Sequence, residues 1–158
     1  MLRFLPGLLL LASCMSTPVT YPDDDDFLTD LDMAQEIWKS QSIHNYRFVY
    51  RSETFGCATP AVVITVRDTE VRSARFDDDQ TGCHSHNPPP KGQDARSAYP
   101  HAVVTVGDLF ERIHSVQNPN GVEANFHPIY GFPAKIFIYH REIDDDYVMI
   151  YISKFEIL

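Results

Sequence analysis

Cys83-His84-Ser85-His86 puts a thiol and two imidazoles within four consecutive residues. Thiolate and neutral imidazole are good ligands for zinc or copper, so Cys83, His84 and His86 are the sharpest candidate metal ligands in the chain. Neighbours in a loop seldom close a tetrahedral site without a fourth ligand, however, so the plainer reading is a pair of solvated loop histidines, with no cofactor. Asp77-Asp78-Asp79 and Asp144-Asp145-Asp146 could each hold calcium or supply one carboxylate of an acid-base pair. Three adjacent acids in a turn usually point to water in different directions, and hard-cation loops space their carboxylates so that they converge. The run Asp23-Asp24-Asp25-Asp26 reads the same way, as a solvated spacer. His101, His114, His127 and His140 are scattered over a loop, a helix and two strands and read as surface or internally satisfied histidines. Ser42 lies near His44 and Ser85 lies between two His, but neither is a nucleophile without a positioned acid partner. The chain has no Gly-rich phosphate loop, no Gly-x-Ser-x-Gly elbow and no His-Glu-x-x-His helix. Together these point to a protein that is not an enzyme.

One cysteine has a different chemistry. Arg3 supplies a positive start, residues 4–11 form an apolar run, and small residues close it before Cys14. That pattern predicts a secretory signal over residues 1–13. The run is about half of the ~20 residues that cross a bilayer, and no later apolar stretch is longer than residues 61–66. Leu11-Ala12-Ser13-Cys14 resembles the lipobox of bacterial lipoproteins. The resemblance implies diacylglycerol on the Cys14 sulfur, cleavage before Cys14 and a fatty acid on the new amino terminus. Two or three acyl chains, at roughly 0.8 kcal/mol per buried CH₂, anchor firmly where one would not. In Gram-negative lipoproteins Asp after the lipidated cysteine resembles an inner-membrane retention signal; Met15 stands there instead, which leans toward the outer membrane. Residues 14–27 then read as a lipidated N-terminus and a flexible acidic tether.

Residues 28–158 remain for one domain, long enough to bury a core unaided. The formal net charge of −9 argues against nucleic acid, whose binding needs basic surface to neutralise phosphates. Two segments share a helix-start pattern. Thr29-x-x-Asp32 and Thr105-x-x-Asp108 each offer a capping hydroxyl with a carboxylate in the first turn. Leu28 with Met33, and Val104 with Leu109, are placed as hydrophobic staples. Leu31, Ala34, Ile37 and Trp38 make one apolar stripe; Val106, Leu109, Phe110, Ile113 and Val116 make another. Asn118-Pro119-Asn120-Gly121 should end the second helix. Strand signals follow each helix. Tyr46, Phe48 and Tyr50 alternate with Arg47 and Arg51, and residues 61–66 and 71–76 flank a tight turn at Arg67-Asp68-Thr69-Glu70. Residues 122–127, 134–140 and 147–155 are rich in β-branched and aromatic side chains. Their short connections predict antiparallel neighbours. The expected fold class is α+β: an antiparallel sheet of about six strands with two helices packed on one face, in the order helix, three strands, helix, three strands.

Residues 77–102 are the one long irregular stretch, with Pro88-Pro89-Pro90 at its centre. With Cys14 lipidated, Cys57 and Cys83 form an even pair in an oxidising compartment, and a disulfide between them is expected. Closing that span should stabilise the fold by about 3.5 kcal/mol in the chain-entropy model. The alternative is two reduced thiols, one of them a metal ligand.

Several of these features occur in a family's order: Trp38 ahead of Tyr46-Arg47-Phe48-Val49-Tyr50, Cys57, the hairpin Val66-Arg67-Asp68-Thr69-Glu70-Val71, the helix start Thr105-Val106-Gly107-Asp108-Leu109-Phe110, and Tyr130-Gly131-Phe132-Pro133 before Ile136 and Ile138. In this the chain resembles the domain of unknown function 6174 family of bacterial lipoproteins over roughly residues 38–155. The resemblance implies location and fold, and no activity. The functional expectation is therefore an envelope lipoprotein, held at the cell membrane or outer membrane by its lipid and facing the periplasm or exterior. It would act as a binding or assembly module, with an envelope protein as candidate partner. A metal-binding lipoprotein using Cys83, His84 and His86 is the alternative, and an enzyme is third.

Overall fold

The computed structural model describes residues 24–78, 89–116, 121–139 and 147–158. At the centre of the fold, β1 (Tyr46–Thr54) buries Tyr46, Phe48 and Tyr50 on one face while Arg47 stays exposed on the other. That is the period-two division of a strand covered on one side. Antiparallel to it run β3 (Val62–Arg67) on one side and β7 (Tyr147–Ile157) on the other. With β4 (Glu70–Phe76), β5 (Val122–Phe126) and β6 (Pro133–Tyr139), the sheet order is β4-β3-β1-β7-β6-β5, antiparallel throughout. The two-residue strand β2 (Cys57–Ala58) folds back on the end of β1. The sheet therefore has seven strands rather than six, and the order is helix, four strands, helix, three strands. A two-residue strand has no periodicity to read. Its turn, Phe55-Gly56, has φ of 51° and 68°, the doubly left-handed conformation of a type I′ hairpin.

The hairpin between β3 and β4 has the same geometry at Asp68 (φ 54°) and Thr69 (φ 66°), although neither is glycine. The preceding segment holds it: Asn45 Oδ1 accepts the Asp68 amide at 3.1 Å, and the His44 carbonyl accepts that of Thr69 at 3.2 Å. These bonds offset the cost of a β-branched residue at positive φ.

Helix α1 (Asp24–Ser40) starts five residues before Thr29, so Thr29 is an interior residue and not a cap. Successive acids at a helix start are favoured by the aligned peptide dipoles, which gives the chain an earlier start than the Thr29 signal suggests. Residues 24–27, expected as tether, are thus the helical start of α1, and Phe27 packs against the core. The Leu28 and Met33 staple is lost with the cap; both side chains are exposed, as is Ile37, leaving Leu31 and Ala34 as the buried stripe and Trp38 half-buried.

Helix α2 (Val106–His114) begins as its sequence predicts. Thr105 Oγ1 accepts the Asp108 amide at 3.1 Å and Asp108 Oδ2 accepts the Thr105 amide at 2.7 Å, a complete capping box. Val106, Leu109, Phe110 and Ile113 are all buried. The helix stops at His114, before the Asn118-Pro119-Asn120 signal, whose residues lie outside those described; Val116 packs against the core from beyond the helix end.

Both helices lie on the same face of the sheet, and Tyr46 touches each. Its ring meets Trp38 edge-on at 5.3 Å, and its hydroxyl accepts the Val106 amide at 3.0 Å. The core between helices and sheet draws Phe48, Ile64, Ile136 and Ile150 from four strands, each fully buried. Among the described residues the buried side chains run from Leu31 to Ile152, so residues 24–158 carry the whole of that core. The later part of the long connection is not irregular: the Ala95 amide bonds to the Ala74 carbonyl at 2.9 Å and Asp94 pairs with Arg75 through the backbone in an isolated antiparallel β-bridge, so the chain returns along the outer edge of β4. It then makes a short 3-10 turn at Pro100–Ala102 that buries Ala102. Among the described residues no helix is long and apolar enough to cross a membrane.

Candidate functional site

The inward positions of β1 change character along the strand. Tyr46 and Phe48 are aromatic and packed, whereas the next inward positions are Tyr50, Ser52 and Thr54. Beneath the last turn of α2 a cavity of about 780 Å³ opens against this second half. Pairing puts Val148 opposite Thr54 and Ile138 opposite Val148, so one row across three strands forms an apolar floor with a hydroxyl at its end. Val116 adds a further apolar wall, and Arg112, Ser115 and His101 line the rim.

The polar groups here are ordered. Arg112 donates to the Tyr50 hydroxyl at 3.4 Å and to the His101 carbonyl at 3.5 Å, both at the long edge of hydrogen bonding. Among the described residues Arg112 forms no ion pair. Ser52 and Thr59 close on each other. Thr59 Oγ1 donates to the Ser52 carbonyl at 3.0 Å and accepts the Ser52 amide at 3.1 Å, so Ser52 Oγ is left to donate to Thr59 Oγ1 at 3.2 Å. Burial, and then the Arg112 charge, hold the His101 imidazole below its ordinary pKa. The volume, apolar floor and few convergent polar groups leave room for a small molecule.

The residues that sequence singled out go elsewhere. Cys14, Cys83, His84, Ser85, His86, Asp79, His140 and residues 144–146 lie outside those described. Cys57 sits half-buried in β2 and is disulfide-bonded. Among the described residues no group of three or more His, Cys, Asp or Glu could hold a metal ion. Asp77 accepts from the Lys154 ammonium at 2.8 Å and Asp78 pairs with Lys91, so these two acids are engaged with cations from other segments. The Asp77 and Lys154 pair lines a smaller cavity on the opposite, helix-free face of the sheet. His44 and His114 are exposed, and Ser42 takes no part in the cavity. His127 is structural: its Nδ1 accepts the amides of Ile129 and Tyr130, both at 3.3 Å, and its ring stacks on Phe132 at 4.8 Å. Of the histidines, His101 alone lines the large cavity among the described residues.

Sequence reasoning missed Tyr50, Ser52, Thr59 and Arg112 as a group. A signal was present, since two hydroxyl residues at inward positions of a strand that begins Tyr-x-Phe-x-Tyr mark a face that stops being core. No curated protein and no solved structure matches this chain. A family model described as a family of unknown function, DUF6174, matches residues 30–157, from within α1 to the end of β7, and the chain belongs to that family.

Proposed function

We propose that this protein is a bacterial cell-envelope lipoprotein whose domain is a non-catalytic binding module, and that the cavity beneath α2 is where it binds. The observation that carries the binding reading is the cavity itself: about 780 Å³, floored by Val148 and Ile138, with the half-buried Arg112 at its rim. Binding is favoured over nucleophilic chemistry because the hydroxyls of Ser52 and Thr59 are spent on each other and on backbone rather than on a base. The envelope location is supported by the apolar leader and the Leu11-Ala12-Ser13-Cys14 tetrapeptide, with Cys14 as the lipidated residue. A disulfide at Cys57 supports an oxidising compartment, with Cys83 as its proposed partner. The membrane is thus one partner, through the lipid, and the occupant of the cavity is the other.

Two measurements test this. The uncharged dye Nile red should bind residues 24–158 saturably, and Val116→Trp, which fills the cavity, should weaken that binding about tenfold while the protein still unfolds in one cooperative transition. No saturable binding, or equal binding by the filled variant, overturns the binding reading. In the bacterium, Cys14→Ser should leave the protein unprocessed or release it from membranes; normal processing and retention overturn the lipoprotein reading.

A further inference from the structure

Resting on that binding reading, we infer that the cavity takes an amphipathic carboxylate, its head held by Arg112 and Tyr50 and its hydrocarbon body lying along Val148 and Ile138. A guanidinium carries five N–H donors and no acceptor. In Arg112 these make two long contacts, at 3.4 and 3.5 Å, both to neutral oxygens, and no ion pair among the described residues. Tyr50 is 1% exposed; its hydroxyl oxygen accepts from Arg112, and its phenolic hydrogen meets no acceptor among the described residues. A cation and a buried hydroxyl hydrogen therefore meet at one wall of the cavity with no anion between them among the described residues.

Leaving the buried phenolic hydrogen unmet costs free energy that an entering oxygen anion recovers, and the half-buried guanidinium beside it attracts that anion. A carboxylate fits better than a single acceptor, because one oxygen can lie against the guanidinium fork while the other takes the phenolic hydrogen. Beyond that wall the surface turns apolar. Val148 and Ile138 are cross-strand partners and Val116 faces them from above, so a ligand that satisfies the head must also offer hydrocarbon. The charge excludes a cationic head by direct repulsion. A purely polar anion would leave the floor wet.

The test is calorimetric titration of residues 24–158 with octanoate, octanamide, octylammonium and octyl phosphate, which share a tail and differ in head. Octanoate is expected to bind about tenfold more tightly than octanamide, with no measurable binding of octylammonium. Arg112→Met should weaken octanoate about tenfold and leave octanamide within about twofold. Should Arg112→Met fail to fold, the order of the four probes on the unaltered protein decides. Octanamide equal to octanoate, or an equal loss of both in Arg112→Met, overturns the anionic head while the cavity remains a binding site. Octyl phosphate bound more tightly than octanoate overturns the carboxylate. If Nile red also fails to bind, the binding reading falls with it.

Discussion

Tyr46→Phe isolates one hydrogen bond in the middle of the fold. The ring stays, with its edge contact to Trp38 at 5.3 Å and its stacking on Phe155 at 5.6 Å, and only the hydroxyl that accepts the Val106 amide is lost. That amide opens α2 and has no partner within the helix. Residue Val106 is fully buried, so water does not replace the hydroxyl. Leaving a buried donor unmet costs about 1 to 3 kcal/mol, which is the loss expected at neutral pH. Alkaline pH supplies a second, independent reading. Burial first, with the Asp108 carboxylate adding to it and the Val106 amide opposing, pushes the Tyr46 phenol from 10.0 up to about 12. Between those values the unfolded chain has lost the proton and the folded one keeps it, so stability falls as pH rises. At pH 11 the wild type should have lost about 1 kcal/mol through this group, a loss that Tyr46→Phe cannot suffer. Urea unfolding of both proteins at pH 7 and pH 11 should show the gap between them shrinking by that amount, since every other titrating group cancels in the comparison. A gap that is absent at pH 7, or equally wide at pH 11, refutes the reasoning.

Gly131 sits at φ 76° where the Tyr130-Gly131-Phe132 turn meets α1, and a Cβ there would lie 2.3 Å from the Ala34 carbonyl oxygen. Gly131→Ala should therefore cost about 2 to 4 kcal/mol in a denaturant melt, more than the left-handed backbone alone accounts for. Phe110→Ala should cost about 3 to 5 kcal/mol and His114→Ala less than about 0.5 kcal/mol, because the first is 1% exposed and the second lies on the solvent side of α2. Equal effects would mean that the buried face of α2 is misassigned. The hydrogen bond from Lys154 holds the Asp77 carboxyl below its ordinary value of 3.8. The stability this pair contributes is complete above that value and lost as pH falls below it, so acid unfolding of Lys154→Met should converge with the wild type at low pH and differ from it at neutral pH.

Legibility in the sequence followed the range of the interaction. The capping box of α2 needs only Thr105 and Asp108, three residues apart, and the helix begins where they say. Strands whose side chains alternate over five or more residues, such as β1, declare themselves the same way. The start of α1 was not legible because two signals competed, the Thr29 cap and the acidic run before it, and nothing local ranks them. Strand β2 was invisible for want of length, and Phe55 gave no hint that an aromatic residue would take a left-handed turn. The cavity was the least legible of all. Tyr50 and Arg112 are 62 positions apart and meet only because the sheet order brings β1 beneath α2. Residues 83–86 bring reactive side chains together along the chain, whereas the polar wall of the cavity is assembled between a strand and a helix, from Tyr50 and Arg112.

Strand β1 explains how a small domain keeps a stable core and an open site together. Its first half is committed to packing: Trp38, Tyr46, Phe132 and Phe155 form one aromatic cluster, with Phe132 and Phe155 stacked at 4.5 Å. The Tyr46 hydroxyl fixes the N-terminus of α2 there, and the capping box fixes it again. A helix pinned so firmly at one end holds the other end at a set height above the sheet. There the inward residues of β1 are Ser52 and Thr54, which do not reach up to fill the space as Phe48 does. The cavity is thus the consequence of anchoring α2 over large side chains and ending it over small ones. Loosening the anchor should then alter the site, so Tyr46→Phe, about 60 positions from Val106 in the chain, joins the stability of the core to the shape of the cavity.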